Sequence, residues 1–517
     1  MEQVRTSVEV VVERMKALPP WALALGGTVL GYALFKTLVG ARHPNDAKGD
    51  KAYPIIGNFL DMKNIERMFE YQKELARKYG RVSTWNLAGK KFFVISDPEI
   101  NKRIYQTEME AFGRGGPMVD VFGEIAGGLI MQDNGDEWRE VRKFFDPAFS
   151  VVSIKNYSPI VQSSTSKLIK YMESELDNPE NRRDGAGIDI QPALHGLTFD
   201  IIVNILLGFD PKSVDSGGHS VYVKAWEEGL GHLITRVPFA STFYWKWWKT
   251  PAVLKYEKDI KLLQGLVMNR YDEYLNNGVP EDAVDLLAQY IRKLKTDKES
   301  IPSYLTSDRE NFLRHFMTMV FAGHDTTASS VGWTLAFLAM HPDKLARVRK
   351  EIQAVGGKKQ LTYETLLTLP YLECCVKEVM RLRPSAPNMG RTPRRDITLE
   401  WVDDSGVLRQ QFVAKGQEMH TTAYATHMDP RNFENPDEFI PERFENNPTY
   451  NMYAYVPFGA GPRKCLGEKL ALFETRLGAA EVIRTFDFGI IDNYKPVLIQ
   501  APTLRIGNGL KLWFKRL

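Results

Sequence analysis

The 517-residue sequence is poor in cysteine and almost balanced in charge, and each scarcity removes a class of function. Three cysteines cannot staple a disulfide scaffold, and no C-x-x-C pair is present to bind zinc or exchange thiols. Lys and Arg number 67 against 64 Asp and Glu, so there is no basic excess of the kind a nucleic-acid partner requires. Low-complexity tracts and internal repeats are missing, and only one long run carries no charge. What remains is a composition of 44% hydrophobic and 25% charged residues, which excludes wholesale disorder. A guide of about 150 residues per domain would divide the chain in three. No boundary is marked after residue 51, so residues 51–517 read as one body.

The uncharged run is Leu18 to Phe35, opened by Pro19-Pro20 and closed by Lys36. Its 18 residues span roughly 27 Å as a helix, close to the hydrocarbon thickness of a bilayer. Trp21 and Tyr32 lie near its ends, where aromatic residues favour the interface. The alternative is a buried helix weakened by Gly26, Gly27 and Gly31. The length favours an anchor, so residues 1–50 are expected to form a transmembrane helix and linker. Glu2, Glu9 and Glu13 disfavour a mitochondrial transit peptide. The flanking charges do not decide orientation.

Beyond the linker, Arg81–Leu87 and Lys90–Ser96 are β-rich runs separated by Ala88-Gly89, a hairpin signal. A second hairpin is expected from Ile397–Val402 and Val407–Val413. Most of the rest is helical. The longest helix is expected from a capping box at Ser307-Asp308-Arg309-Glu310 to Met340, where His341-Pro342 stops it. Another runs from Tyr371 to Leu382. The fold class is mainly α with small β-sheets.

The most informative segment is Phe458-Gly459-Ala460-Gly461-Pro462-Arg463-Lys464-Cys465-Leu466-Gly467. A lone cysteine sits in a glycine-rich loop beside two cations and before a helical pattern, Glu468–Val482. Backbone N–H groups and cations stabilise a thiolate, and glycines let a backbone approach a flat group closely. A buried structural cysteine is the competing reading of this loop taken alone.

The loop resembles the haem-binding signature F-x-x-G-x-R-x-C-x-G of the cytochrome P450 family. Four further segments are similar to family motifs in the family's order. They are Trp138-Arg139-Glu140-Val141-Arg142, Ala322-Gly323-His324-Asp325-Thr326-Thr327, Glu378-Val379-Met380-Arg381 and Pro441-Glu442-Arg443-Phe444. The resemblance runs from about Tyr53 to the C-terminus. It implies a cytochrome P450 fold and haem b (iron protoporphyrin IX), with Cys465 as the axial iron ligand whose thiolate favours O–O cleavage. Phe458, Gly461, Arg463 and Gly467 would shape the cofactor loop. Trp138, Arg142, Arg391 and Arg463 would hold haem propionates, and Gly323 would leave room above the ring. Glu378, Arg381 and Arg443 would form a buried structural network. Asp325 and Thr326 would deliver protons during oxygen activation. His324 is not expected to be a ligand.

The implied activity is a monooxygenase acting on a lipophilic substrate, a fatty acid or sterol-like lipid. Electrons from NADPH would arrive through a separate NADPH–cytochrome P450 reductase, with cytochrome b5 as a second donor. The expected location is the endoplasmic reticulum membrane, with the catalytic domain in the cytosol. Phe122, Ile125, Phe321 and Ala322 are expected to line the substrate pocket, as are a loop Phe112–Ile125 and a region Trp226–Phe243. Arg139, Lys143, Arg463, Lys464 and Lys469 would form a basic docking patch. Phe243 to Lys249 is aromatic and basic, so it fits either a membrane interface or the core. Two other activities compete: a haem-thiolate isomerase or dehydratase using a peroxide without a reductase, and a non-catalytic haem-binding protein. The retained Asp325-Thr326 pair argues against both.

Overall fold

Alternating amphipathic segments and turn signals lay out the chain in the computed structural model. It describes residues 47–517 except 54–55, 63–64, 88, 116, 179–186, 237–243, 357–360 and 447–449. The run Leu18–Phe35 and Phe243 lie outside the described residues. Among the described residues, no helix is long and apolar enough to cross a membrane.

Helix Met68–Tyr79 (α1) precedes an antiparallel hairpin of Val82–Leu87 (β1) and Lys90–Ile95 (β2). Gly89 takes φ +75° in its turn, a left-handed conformation that glycine adopts without steric cost. Phe112–Gly113 (β3) leads into Pro117–Ala126 (α2) and Asp136–Phe145 (α3). The segment expected to be a loop, Phe112–Ile125, therefore contains a helix that starts at a proline. There follow Val151–Asp177 (α4), Gln191–Leu207 (α5), Val221–Arg236 (α6) and Pro251–Asn277 (α7). Helix α5 is apolar around nearly its whole circumference and is buried accordingly.

The longest helix, Arg309–Met340 (α8), has 32 residues and spans about 48 Å. Its cap differs from the expected box. Ser307 ends a separate helix, Ser303–Ser307, and its hydroxyl donates to the Tyr304 carbonyl at 3.1 Å. With Ser307 so engaged, the Asp308 carboxylate accepts the Glu310 N–H at 2.9 Å and caps α8. Pro370–Leu382 (α9) and Glu468–Thr485 (α10) complete the main helices, and α8 runs through their common core.

Met389–Pro393 (β4), Ile397–Val402 (β5), Leu408–Val413 (β6) and Met419–Thr421 (β7) form the later strands. The largest sheet has the order β1-β2-β7-β4-β3, with β2 and β7 parallel and Phe93 opposite Met419. The β5–β6 hairpin turns on Asp403, which accepts the N–H groups of Ser405 and Val407 at 2.9 and 3.0 Å. Beside the helical core, a second apolar cluster joins Ile104 and Tyr105 to Phe93, Met419, Val456 and Ala460. That cluster carries the cysteine loop on the sheet. The architecture is mainly helical with small sheets.

Candidate functional site

The cysteine loop is folded by its own backbone. The Cys465 N–H donates to the Phe458 carbonyl at 2.9 Å, and the Lys464 N–H donates to the Gly461 carbonyl at 3.0 Å. Gly461 takes φ +66°, and a Cβ there would lie 2.0 Å from the Tyr105 carbonyl oxygen, so only glycine fits. Gly467 is different: a Cβ there would meet nothing within 4 Å, so its open side faces space rather than protein. Cys465 is accessible to solvent, yet surrounding protein pushes its thiol pKa up. The Gly467 N–H, Arg142 and Lys464 act against that rise and favour the thiolate, while Glu468 adds to it. A sulfur that is accessible and still closely surrounded faces an internal cleft.

Two donors of Arg142, expected to hold a propionate, are engaged within the protein. Its guanidinium donates to Asp146 at 2.7 Å and to the Lys464 carbonyl at 2.8 Å, so it clasps the cysteine loop from α3. Trp138 is buried under the guanidinium of Arg463, 4.1 Å from ring centre to charge. It positions that arginine by stacking.

Three guanidiniums crowd together without a carboxylate between them. Arg391 is buried, and its Nη1 donates to its neighbour's carbonyl at Gly390, 2.8 Å away. Arg463 donates to the Asn134 side chain and to the Gln132 carbonyl at 2.8 Å. Burial, with Arg391 nearby, lowers its pKa to about 9. Arg114, which the sequence reading did not single out, has its pKa lowered by burial and by Arg391 and Arg463. Its Nε is buried without a partner. Two acids lie nearby, and each pairs elsewhere: Asp133 with Arg394 at 2.8 Å and Glu110 with Arg139 at 2.7 Å. Unpaired buried cations are costly, and arginine matches carboxylates in two-point geometry. A flat group bearing two carboxylates, with a metal for Cys465, fits these residues. Haem has that chemistry: Arg114, Arg391 and Arg463 would meet its propionates and Cys465 its iron.

Helix α8 supplies the opposite wall. Its residues 315–320 and 327–339 are buried, whereas Phe321, Ala322, Gly323 and Thr326 are partly exposed. Exposure in the middle of a helix buried on both sides marks the wall of an internal space. The Thr326 hydroxyl donates to the Ala322 carbonyl at 2.7 Å. Asp325 points elsewhere: its Oδ2 accepts the Thr503 hydroxyl at 2.6 Å, and its Oδ1 lies 3.8 Å from His195 Nδ1 on α5. Acid and hydroxyl are thus neighbours in sequence but not bonded to each other. Gly323 does not open room over a cofactor. A Cβ there would strike the Ile202 side chain at 2.6 Å, so the glycine lets α5 close on α8. Burial lowers the pKa of His324 to about 4, which keeps it neutral.

Behind the loop, Glu378 is fully buried and accepts four bonds. Arg381 donates two at 2.8 Å, Arg443 one at 2.9 Å and the Ile440 N–H one at 3.0 Å. Arg381 also reaches the carbonyls of His427, Pro436 and Glu438. His427 was not visible as a site residue in sequence. It bridges the Arg381 carbonyl at 3.0 Å and the Val456 N–H at 2.8 Å, which links this network to the cysteine loop. The Val456 amide donates to Nε2, so the ring proton is on Nδ1.

Phe122 and Ile125 lie buried in α2, and Phe321 stacks on buried Trp226 of α6 at 6.0 Å. Ala322 is partly exposed beside them on α8. Among the basic residues, Arg463 belongs to the interior, as its partners show. Arg139 pairs with Glu110 and Asp136, and Lys464 with Glu468, while Lys143 and Lys469 are exposed. His195 joins Arg114 and His427 among the residues that motifs did not reveal. For His195 a signal existed: one imidazole on an otherwise apolar helix.

A family model described as Cytochrome P450 matches residues 48–511. The chain is 26% identical over 491 residues to cytochrome P450 3A41 of Mus musculus, covering 91% of each chain. It is 27% identical over 486 residues to cytochrome P450 3A6 of Oryctolagus cuniculus, again covering 91% of each. With cytochrome P450 3A5 of Homo sapiens the identity is 26% over 477 residues and 91% of each chain.

Proposed function

We propose, since the chain belongs to the cytochrome P450 family and is therefore a haem-binding monooxygenase, that it inserts one oxygen atom of O2 into a C–H bond of a fatty acid or sterol-like lipid. NADPH would supply the electrons through a separate reductase. The observation that carries the reading is Thr326 on the exposed stretch of α8 with the buried acid Asp325 next to it. A peroxide isomerase or a haem carrier has no use for a proton-delivering pair.

Bound haem supplies the redox chemistry of oxygen. The chain's own groups do the rest. Cys465 would hold the iron, with the Gly467 N–H favouring the sulfur as thiolate. Arg114, Arg391 and Arg463 would fix the propionates. The Thr326 hydroxyl donates a hydrogen bond to the Ala322 carbonyl, which leaves the Oγ1 lone pairs to accept from water in the cleft. Asp325 is held by Thr503 and serves as the nearby proton store. Phe321 and Ala322, partly exposed on α8, offer an apolar wall that suits an aliphatic chain or ring system, and the buried Trp226 backs Phe321.

Residues 1–50 would anchor residues 51–517 to the endoplasmic reticulum membrane, with the haem domain in the cytosol. Trp247 and Trp248, 70% and 61% exposed and stacked on each other, support contact with the lipid interface. Lys143 and Lys469, on the side of the cysteine loop, suit an acidic reductase or cytochrome b5.

The test is a panel of fatty acids and sterols, scored first by the haem spin-state shift and then by substrate-dependent NADPH oxidation with a reductase. Incorporation of one atom of labelled O2 into product is the expected result. Turnover of a lipid hydroperoxide without reductase, and none with it, would overturn the proposal.

A further inference from the structure

Helix α5 is apolar on nearly every face, yet it carries His195, 2% exposed, toward the oxygen-activation segment of α8. Two features force the helices together there. Gly323 admits the Ile202 side chain, and Thr198 of α5 donates to the His324 carbonyl at 2.8 Å. The approach places His195 Nδ1 3.8 Å from Asp325 Oδ1, with both residues almost fully buried. The Nδ1 atom has no hydrogen-bond partner. Asp325 Oδ2 is fixed by the Thr503 hydroxyl at 2.6 Å, so Oδ1 is the oxygen turned to the imidazole. The separation exceeds a hydrogen bond but lies within ion-pair range.

We propose that His195 is a positioning residue for Asp325, and that its imidazole holds or releases the Nδ1 proton facing Oδ1 and thereby sets the ionisation of the acid beside Thr326. In one state an imidazolium proton bonds the carboxylate and pins it away from the cleft. In the other, that proton passes to Oδ1, which leaves a neutral imidazole and a neutral acid. No electron moves and no co-reactant is needed. The inference rests on the monooxygenase reading only for its effect on turnover.

The groups facing His195 are identifiable from every side. Asp325 and His324 come from α8, Glu227 from α6, Arg505 from strand Leu504–Ile506 and Asp189 from strand Ile188–Asp189. Burial lowers the His195 pKa, and Asp325 is the largest influence raising it. Charge on the two groups is therefore coupled in a dry environment, where such coupling is strong.

The experiment uses the holoenzyme in its ferrous, carbon-monoxide-bound form, which is diamagnetic, with the histidine ring carbons labelled for NMR. The His195→Gln variant identifies the His195 resonance. In Asp325→Asn that resonance should titrate at lower pH than in wild type by half a unit or more, and Thr503→Val should move it too. If no histidine resonance changes its titration in Asp325→Asn, the proposal is overturned; this outcome needs no assignment and holds even if His195→Gln fails to fold. In turnover, product formed per NADPH should vary with pH in wild type below about pH 6.5, the side to which burial moves His195. In His195→Gln that profile should flatten, with the Soret position unchanged. Superimposable profiles also overturn the proposal. Absence of substrate-dependent NADPH oxidation in wild type would instead count against the monooxygenase reading and leave the titration result standing.

Discussion

His427 offers the sharpest test of how the buried network holds the cysteine loop. Its ring accepts from the Val456 amide and donates to the Arg381 carbonyl, and it is fully buried. Burial, reinforced by the Arg381 charge, lowers its pKa from the usual 6.5 to about 3. Between those values the unfolded chain takes up a proton that the folded chain refuses. Stability is therefore complete above about pH 6.5 and falls as the pH drops toward 3. At about 1.4 kcal/mol per pH unit, the loss is about 2 kcal/mol at pH 5 and at most about 5 kcal/mol below pH 3. The perturbation is His427→Leu, which cannot be protonated. It should cost about 1–3 kcal/mol at pH 7 for each of the two backbone groups left unpaired. Urea unfolding at pH 7 and pH 5, followed by circular dichroism, gives the comparison. His232, His315 and His324, whose pKa values are each lowered to about 4, titrate in the same window and cancel between the two proteins. Wild type should lose about 2 kcal/mol more than the variant on acidification. Equal losses would refute the assignment of that slope to His427.

Further outcomes follow from the same geometry. Glu378→Ala strands Arg381 and Arg443, should cost about 3–5 kcal/mol in urea unfolding, and should leave a protein that does not retain haem. Gly461→Ala places a methyl against the Tyr105 carbonyl, so the carbon-monoxide band of thiolate-ligated haem should diminish while far-UV dichroism persists. Arg114→Leu removes one of three crowded cations and should weaken haem retention about tenfold or more in transfer to apomyoglobin. Thr326→Ala should lower product per NADPH and release hydrogen peroxide with the spin-state shift intact; unchanged coupling would count against a role for its hydroxyl.

The sequence was legible where a local pattern carries the physics. Gly89 and Asp403 marked their hairpins, Pro342 marked the end of α8, and the cysteine loop stood out by its glycines and cations. The cap of α8 was misread by one residue because Ser307 had already spent its hydroxyl on the preceding turn. Gly323 was misread because its reason lies on another helix, in Ile202. For Arg142 and Trp138, expected to hold a propionate, the groups they touch within the protein depend on tertiary placement, which no local pattern encodes. The guanidinium of Arg114 meets Arg391 and Arg463, His195 faces Asp325 and His427 holds Val456, partners too far along the chain for a local motif to name.

The parallel pairing of β2 with β7 has a consequence for how the chain folds. Within this sheet region Gln72 meets His420 across 348 residues, and Asn101 meets the Tyr453 carbonyl across 352. Loops of that length must close before the contacts can stabilise them, and such topologies fold slowly. The cysteine loop rests on this sheet through Tyr105, Val456 and Ala460. Helices α4 to α8 can collapse early from local contacts, whereas the platform for the cysteine loop waits for the two distant segments to find each other. The capture of the cofactor is thus tied to a long-range closure rather than to local contacts.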